Sequence, residues 1–122
     1  MRIVFGLLAC LFTPLTLASD EIRFGSTLLL SVGESEAIVK PLVCRYANQL
    51  QLKVEEQEAH IEAIRVYYKD GSSKNLKVNR TLGKDQRSGW IKLERRKCIN
   101  KIRIEGYAKR KVAEVKVYGR RD

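Results

Sequence analysis

The densest group of chemically capable side chains in this sequence is a basic run near its C-terminal end. The segment RRKCINKIRIEGYAKRK, residues 95–111, contains eight Lys or Arg residues and a single acid, Glu105. Ammonium and guanidinium groups bind phosphate, sulfate and carboxylate, and the planar guanidinium can do so with two parallel hydrogen bonds. The run therefore predicts an anion-binding site. Its candidate residues are Arg95, Arg96, Lys97, Lys101, Arg103, Lys109, Arg110 and Lys111.

The same segment can also be explained by structure alone, as a strand with one face in solvent and the other in the core. Cys98, Ile102 and Ile104 share one strand parity and are expected to face a core, whereas Arg103 between the isoleucines faces solvent. A further isoleucine falls out of step near residues 99–101, and a β-bulge there would restore the alternation. The sequence alone is compatible with both interpretations, a solvated strand face and a binding site.

The two ends of the run lie outside this strand. Residues 95–97 and 109–111 are clusters of three cations that are typical of loops. They flank the strand at opposite ends, so a single site requires the two loops to curl over the strand face. Lys101 and Arg103 share a parity and project from one face.

Catalytic chemistry finds little support in the sequence. His60 is the sole imidazole and has Glu58 and Glu62 as near neighbours, which is typical of an exposed residue without a role. No nucleophile elbow G-x-S-x-G and no glycine-rich phosphate loop occur. Zinc requires four ligands, and Cys44, Cys98 and His60 supply three at most. We therefore expect no enzyme, no metal and no cofactor.

The N-terminus has the pattern of a secretory signal peptide. Arg2 is followed by an apolar run and by the small-residue exit TLA, so cleavage is expected after Ala18. A lipoprotein site at Cys10 is the alternative, although only seven apolar residues precede it. The remaining chain has no second apolar run long enough to span a membrane. The expected location is the periplasm or the medium.

Two cysteines are left in the mature chain. Cys44 and Cys98 form an even pair in an exported protein, which predicts a disulfide. A redox-active pair would be expected at the tight C-x-x-C spacing, and these two are far apart.

Charge is divided unevenly along the chain. Residues 19–63 contain four basic and eight acidic residues, net −4, whereas residues 64–122 contain nineteen basic and six acidic residues, net +13. This asymmetry indicates an anionic partner for the second half. The alternative explanation of the asymmetry requires no ligand: the charges keep the protein soluble, and the acidic and basic halves pair with each other. Export argues against genomic nucleic acid and leaves lipopolysaccharide, anionic lipid head groups, acidic glycan or extracellular DNA.

Most of the mature chain alternates with a period of two residues, which is typical of β-strands. Asp70-Gly71 supplies turn chemistry before a returning strand at 75–78. Seven to nine short strands with turn signals between them predict one antiparallel β-sandwich, jelly-roll-like, over residues 19–122. The alternating segments are LQLKV (50–54), IRVYYK (64–69), GWIKLE (89–94), KIRIEG (101–106) and AEVKVYG (113–119). In this alternation Gln51 and Tyr118 are expected on solvent faces.

One segment supports two interpretations. VEEQEAHIEAI, residues 54–64, is rich in helix formers, and Ile61 and Ile64 fall at helical spacing. Ala59, Ile61 and Ala63 nevertheless alternate as a strand does. We predict two strands joined by a tight acidic turn at residues 55–58.

Six segments follow one another along the chain: PLVCR (41–45), LQLKV (50–54), IRVYYK (64–69), GWIKLE (89–94), RKCINKIRIEG (96–106) and AEVKVYG (113–119). They resemble the corresponding segments of the YaaI-like family of small exported bacterial proteins of unknown function. The resemblance implies a compact β-rich, disulfide-bonded domain of the periplasm or the medium, with the paired cysteines at Cys44 and Cys98. It implies no activity, and this chain is much more basic than the family pattern.

These observations favour a non-enzymatic exported binding module whose basic face takes anionic envelope or extracellular ligands. The alternative is a protein-interaction or inhibitor-type domain without an anionic ligand. That alternative would use the edge at Trp90–Leu93 and the other aromatic positions.

Overall fold

The computed structural model describes residues 21–31, 36–93 and 97–121, and these residues form nine β-strands without a helix. The predicted signal peptide, residues 1–18, lies outside the described residues. The strands are β1 (Glu21–Leu30), β2 (Glu36–Val39), β3 (Arg45–Tyr46), β4 (Gln49–Glu55), β5 (Ala59–Tyr68), β6 (Ser73–Leu82), β7 (Ile91–Lys92), β8 (Cys98–Ala108) and β9 (Val112–Arg120).

The strands form two antiparallel sheets that pack face to face. Sheet 1 has the order β1-β9-β4-β7. Sheet 2 has the order β2-β8-β5-β6, and β3 pairs with β8 beside β2. The predicted all-β antiparallel sandwich is therefore confirmed. Within the described ranges there is no helix that is long and apolar enough to cross a membrane.

The core lies between the two sheets and is built by the alternation seen in the sequence. Leu50, Leu52 and Val54 of β4 face Ile102 and Ile104 of sheet 2, and all five are fully buried. Burying such a side chain stabilises the fold by about 1.5–3 kcal/mol. The apolar parity of each strand is therefore what selects its inner face.

A bulge in β8 resolves the irregular parity at residues 99–101, as predicted. Tyr67 pairs with Lys101 and Tyr68 pairs with Ile99, so Asn100 is the extra residue on β8. Because of this bulge Ile99 takes the core position and is fully buried. Cys98 is also buried but lies outside the hydrophobic core cluster, contrary to the expected alternation.

Residues 54–64 form two strands and not a helix. β4 ends at Glu55 and β5 begins at Ala59, and Glu56 between them has a φ of 74°. A register shift between Ile61 and Ala63 lets both Ile61 and Ile64 reach the core. This bulge is what gives the segment its helix-like apolar spacing.

Gln51 and Tyr118 were expected in solvent, and both are buried. The reason is the segment before β7, whose backbone continues sheet 1 along β4: the Ser88 amide donates to the Leu52 carbonyl at 2.8 Å. Gln51 donates to the Ser88 carbonyl at 3.0 Å, and the Arg87 guanidinium lies 4.8 Å from the Tyr118 ring centre. The predicted strand in GWIKLE is correspondingly short, at Ile91–Lys92.

The predicted disulfide joins Cys44 to Cys98, with Cα atoms 5.3 Å apart. It connects the residue before β3 to the first residue of β8. Because β3 pairs with the start of β8, the bond fixes the end of sheet 2 at which the chain enters β8.

Candidate anion-binding face

The two central cations of the basic run lie on the outer face of sheet 2. The strand register places Arg103 of β8 opposite Arg65 of β5, and Lys101 opposite Tyr67. Ile102 and Ile104 point to the core, so the side chains between them project outward. We call the surface formed by Arg65, Tyr67, Lys101 and Arg103 the Tyr67 face.

Two cations flank the tyrosine at the centre of this face. The Lys101 Nζ atom lies 4.5 Å from the centre of the Tyr67 ring, and the Arg65 guanidinium carbon lies 5.9 Å from it. The negative π-face of an aromatic ring attracts cations at such distances. Tyr67 therefore holds two flexible cationic side chains near each other on one surface.

Arg65 and Arg103 are like charges placed directly opposite each other. Such cross-strand pairs destabilise a sheet by roughly 0.2–1 kcal/mol. Arg103 is partly compensated by Glu105 at 3.2 Å on its own strand, and Arg65 donates to the Ser73 hydroxyl at 3.4 Å. The repulsion between two opposed guanidinium groups is unfavourable to the fold, and an anion bound between them would relieve it.

The outer face of sheet 1 is different, because three of its cations contact acids. Lys53 and Lys116 both contact Glu55, at 3.2 Å and 3.3 Å. The hydrogen bond from Lys53, followed by that from Lys116, lowers the pKa of Glu55 below its ordinary value. Arg87 on the same sheet lies 3.8 Å from Glu21. This face explains part of the charge asymmetry as internal pairing.

Lys97 lies apart from the Tyr67 face. Its Nζ atom donates to the Ser72 hydroxyl at 3.2 Å and lies 3.8 Å from an Asp70 carboxylate oxygen. Asp70 also accepts hydrogen bonds from the Ser72 hydroxyl and amide, at 2.6 Å and 2.9 Å. These bonds, with the Lys97 charge, lower the pKa of Asp70 below its ordinary value. Lys97 therefore secures the β5–β6 turn that Asp70-Gly71 was predicted to form.

The cluster Lys109-Arg110-Lys111 lies at the opposite end of β8. It forms the β8–β9 turn, where the Lys109 amide donates to the Glu58 carbonyl of the acidic β4–β5 turn at 2.9 Å. The eleven residues of β8 span about 35 Å, and they separate this turn from Lys97. Lys97 and the Lys109–Lys111 turn therefore do not meet over one face.

The structure thus brings Lys101 and Arg103 together and separates them from the four predicted residues Lys97, Lys109, Arg110 and Lys111. Arg95 and Arg96 lie outside the described residues. Arg65 was missed as a site residue, although the alternation in IRVYYK already placed it beside Tyr67 on one face. What the sequence could not reveal is that β5 pairs with β8 in this register.

A second basic and aromatic feature lies at the open edge of the sandwich. A shallow cleft of about 190 Å³ runs between β6 and the segment before β7, with Trp90 in its wall and Lys77 and Arg80 at its rim. The Arg120 guanidinium lies 4.2 Å from the Trp90 ring centre. This is the edge that the sequence had suggested for a protein partner.

His60, which was expected to be exposed, lies within β5 and is half-buried. Its Nδ1 atom is 2.9 Å from the Thr81 hydroxyl, and its ring lies 5.4 Å from the Tyr107 ring. Across residues 21–31, 36–93 and 97–121, no cluster of three His, Cys, Asp or Glu side chains has the geometry of a metal site. The expectation that the protein is not an enzyme stays a prediction.

Comparison with known sequences places the chain in a family without providing an activity. A search of curated proteins finds no match. The family model described as "Domain of unknown function (DUF2541)" matches residues 3–119, which is nearly the whole sequence. This protein therefore belongs to the DUF2541 family.

Proposed function

We propose that this protein is a non-enzymatic, exported binding module that holds anionic envelope or extracellular ligands on the Tyr67 face. The observation that carries the proposal is the juxtaposition of Arg65 with Arg103 across two paired strands, next to a tyrosine that is flanked by Lys101. Opposed cations lower stability. A ligand with two or more negative groups would offset that cost.

The chemistry of the face favours a multivalent ligand. Each exposed ion pair is worth little by itself, about 0–1 kcal/mol. Useful affinity therefore requires several contacts at once, and these contacts are screened by salt. Phosphate or sulfate groups on a glycan or a lipopolysaccharide have the charge that Arg65, Lys101 and Arg103 can share. Glu105 would disfavour ligands whose charge extends toward it.

The disulfide supports the exported location that the signal-like N-terminus predicts. Structural disulfides persist in oxidising compartments and are rare in the cytosol. The resemblance to the YaaI-like family supports a bacterial origin, with the periplasm or the medium as the location.

Heparin retention of the mature protein tests the proposal. We expect Lys101→Glu with Arg103→Glu to elute at much lower salt than the wild type. Both side chains are half-buried on the outer face of sheet 2, so the melting temperature of each variant is measured to establish that the compared proteins are folded. The matched control reverses Lys84 and Arg110, two exposed cations away from the Tyr67 face. An equal loss in both double variants would mean that net charge alone causes retention, and it would overturn the proposal.

The alternative function is a protein-interaction or inhibitor-type domain that uses the cleft beside Trp90. The partly buried Trp90 ring and its Arg120 contact favour it, because Trp and Arg are enriched among residues that dominate protein interfaces. Binding there would tolerate salt. A partner that is retained at high salt and lost in Trp90→Ala would favour this alternative.

A further inference from the structure

An exposed apolar loop joins β2 to β3. Leu42 is fully exposed and Val43 is 69 % exposed. Ile38 and Tyr46, at either side of this loop, are also exposed. Of the seven large apolar or aromatic side chains that are exposed in the described residues, four fall in residues 38–46. Single exposed apolar residues are ordinary, but Leu42 and Val43 are adjacent, are the most exposed of the seven and protrude together from one loop.

The fold holds this loop outward. Before the loop, Val39 pairs with Ile102, and after it Arg45 pairs with Ile99, so both ends are attached to β8. The Cys44–Cys98 disulfide adds a covalent tie directly behind the two apolar side chains. Leu42 and Val43 therefore lie on a short loop whose two ends are fixed, and both side chains are in solvent.

Cations surround the same loop. Lys40 and Arg45 adjoin it in sequence and are exposed. The Lys69 amide donates to the Cys98 carbonyl at 2.9 Å, and the Arg121 Nε atom donates to the Tyr46 carbonyl at 3.1 Å. Lys97 directly precedes Cys98. Among the described residues, Asp70 is an acid that contacts one of these cations, with a carboxylate oxygen 3.8 Å from the Lys97 Nζ atom.

From this combination we infer that the loop docks the protein onto an anionic lipid bilayer. Leu42 and Val43 enter the region between head groups and acyl chains, and the surrounding cations contact head-group phosphates. Amphipathic anchors and basic segments bind membranes through these two contributions. Tyr46 has the apolar body and polar tip that suit the membrane–water interface.

Size and charge favour a membrane over a protein partner. A specific protein interface buries about 800 Å² on each side, which two protruding apolar side chains do not approach. A second copy of this chain would bring the same cations together and repel the first. A bilayer accepts a small apolar tip because many lipids surround it, and anionic lipids match the positive charge. Ile38 pairs with Arg103 and borders the Tyr67 face, whereas Leu42 and Val43 lie beyond the end of β2. The substitutions that test the loop are therefore confined to Leu42 and Val43.

Sedimentation with vesicles of phosphatidylglycerol and phosphatidylcholine tests the inference on the mature protein. We expect the variant L42S/V43S to lose at least about tenfold in partitioning, since two buried apolar side chains account for that much. The matched control is L28S/L30S, which removes two other exposed leucines, 57 % and 48 % exposed, on β1. The control should partition within about twofold of the wild type.

Two further measurements make the result decisive. Heparin retention should be unchanged in L42S/V43S, so a failure of the loop is distinguishable from a failure of the Tyr67 face. Leu42→Trp should show vesicle-dependent quenching by brominated lipids beyond that of the wild type. Absent binding of the wild type, equal losses in L42S/V43S and L28S/L30S, or equal binding to vesicles without phosphatidylglycerol would each overturn the inference, and a protein partner for the loop would then be sought.

Discussion

At the scale of single residues, the cations of the basic run have different surroundings and therefore different roles. Lys97 is held at the β5–β6 turn by Asp70 and Ser72, whereas Lys101 lies against Tyr67 on an open face. The sequence identified both as candidate ligand residues because it contains their charges but not their neighbours. Arg65, which completes the Tyr67 face, is separated from Arg103 by 38 positions and meets it through strand pairing. Composition cannot reveal such a contact.

Removing Arg65 should separate binding from stability. We expect Arg65→Gln to raise the free energy of unfolding by about 0.2–1 kcal/mol, because Arg103 then loses an opposed like charge. The same change should weaken heparin retention. Urea denaturation and salt elution measure the two effects. A clear loss of stability would show that Arg65 stabilises the fold. The opposition of Arg65 and Arg103 would then not lower the free energy of unfolding, contrary to the proposal.

The Asp70 turn should make part of the stability dependent on pH. The pKa of Asp70 is lowered by its hydrogen bonds from Ser72 and then by Lys97. A carboxylate with a lowered pKa in the folded state stabilises the fold above its ordinary value of 3.8, and it loses that contribution as the pH falls through the lowered pKa. Asp70→Asn should therefore be less stable than the wild type near neutral pH, and the difference should shrink in acid.

Urea denaturation of the wild type and Asp70→Asn across this range provides the measurement. Asp85→Asn, at an exposed position in the loop after β6, is the control, and it should not reproduce the trend. A stability difference between the wild type and Asp70→Asn that stays constant from neutral pH into acid would contradict this assignment of the Asp70 charge.

At the scale of elements, alternation predicted the strands and their inner faces well. It also placed the β8 bulge, because an isoleucine out of step with its neighbours requires one. The irregular edge of sheet 1 was missed. Residues 85–88 pair with β4 through backbone hydrogen bonds, such as the one from the Asp85 amide to the Val54 carbonyl at 2.7 Å, and their side chains carry no apolar pattern. Periodicity cannot detect pairing of this kind.

Gly106 should be essential for the approach of β8 to β5. A Cβ atom at this position would lie 2.2 Å from the His60 carbonyl oxygen, and the backbone there has little room to move. We expect Gly106→Ala to lower the free energy of unfolding by about 1–3 kcal/mol, as overpacking does. Gly89→Ala is the control, since a Cβ there meets nothing within 4 Å. Equal denaturation midpoints for the two variants would show that the strands are not this close.

At the scale of the whole molecule, the sequence predicted one β-sandwich with one disulfide, and both are confirmed. It predicted a site of eight basic residues, and the sandwich distributes the six described ones over the middle and the two ends of β8. Strand length decides this outcome, because an extended chain of eleven residues cannot gather its ends. Because the ends of β8 are separated, two smaller basic surfaces result. One is the Tyr67 face at the middle of β8, and the other surrounds the loop that contains Leu42.

The disulfide should contribute a large part of the stability of this small domain. Its cysteines are 54 positions apart, for which the loss of loop entropy in the unfolded chain predicts about 4 kcal/mol. We expect Cys44→Ala with Cys98→Ala to lower the urea midpoint strongly. The mature wild type, from which Cys10 has been removed with the predicted signal peptide, should have no free thiol when it is denatured without reductant. Two titratable thiols in the wild type would contradict the bond.

The most direct test of the central claim is a map of amide chemical shifts for the ¹⁵N-labelled mature protein titrated with a sulfated heparin oligosaccharide. We predict that the largest shifts occur on β5 and β8 at Arg65, Tyr67, Lys101 and Arg103, and that they diminish as salt is added. Shifts of similar size at the Lys109–Lys111 turn and at Lys84 would mean diffuse attraction to net charge. Either that pattern or shifts confined to the cleft beside Trp90 would contradict a binding site on the Tyr67 face.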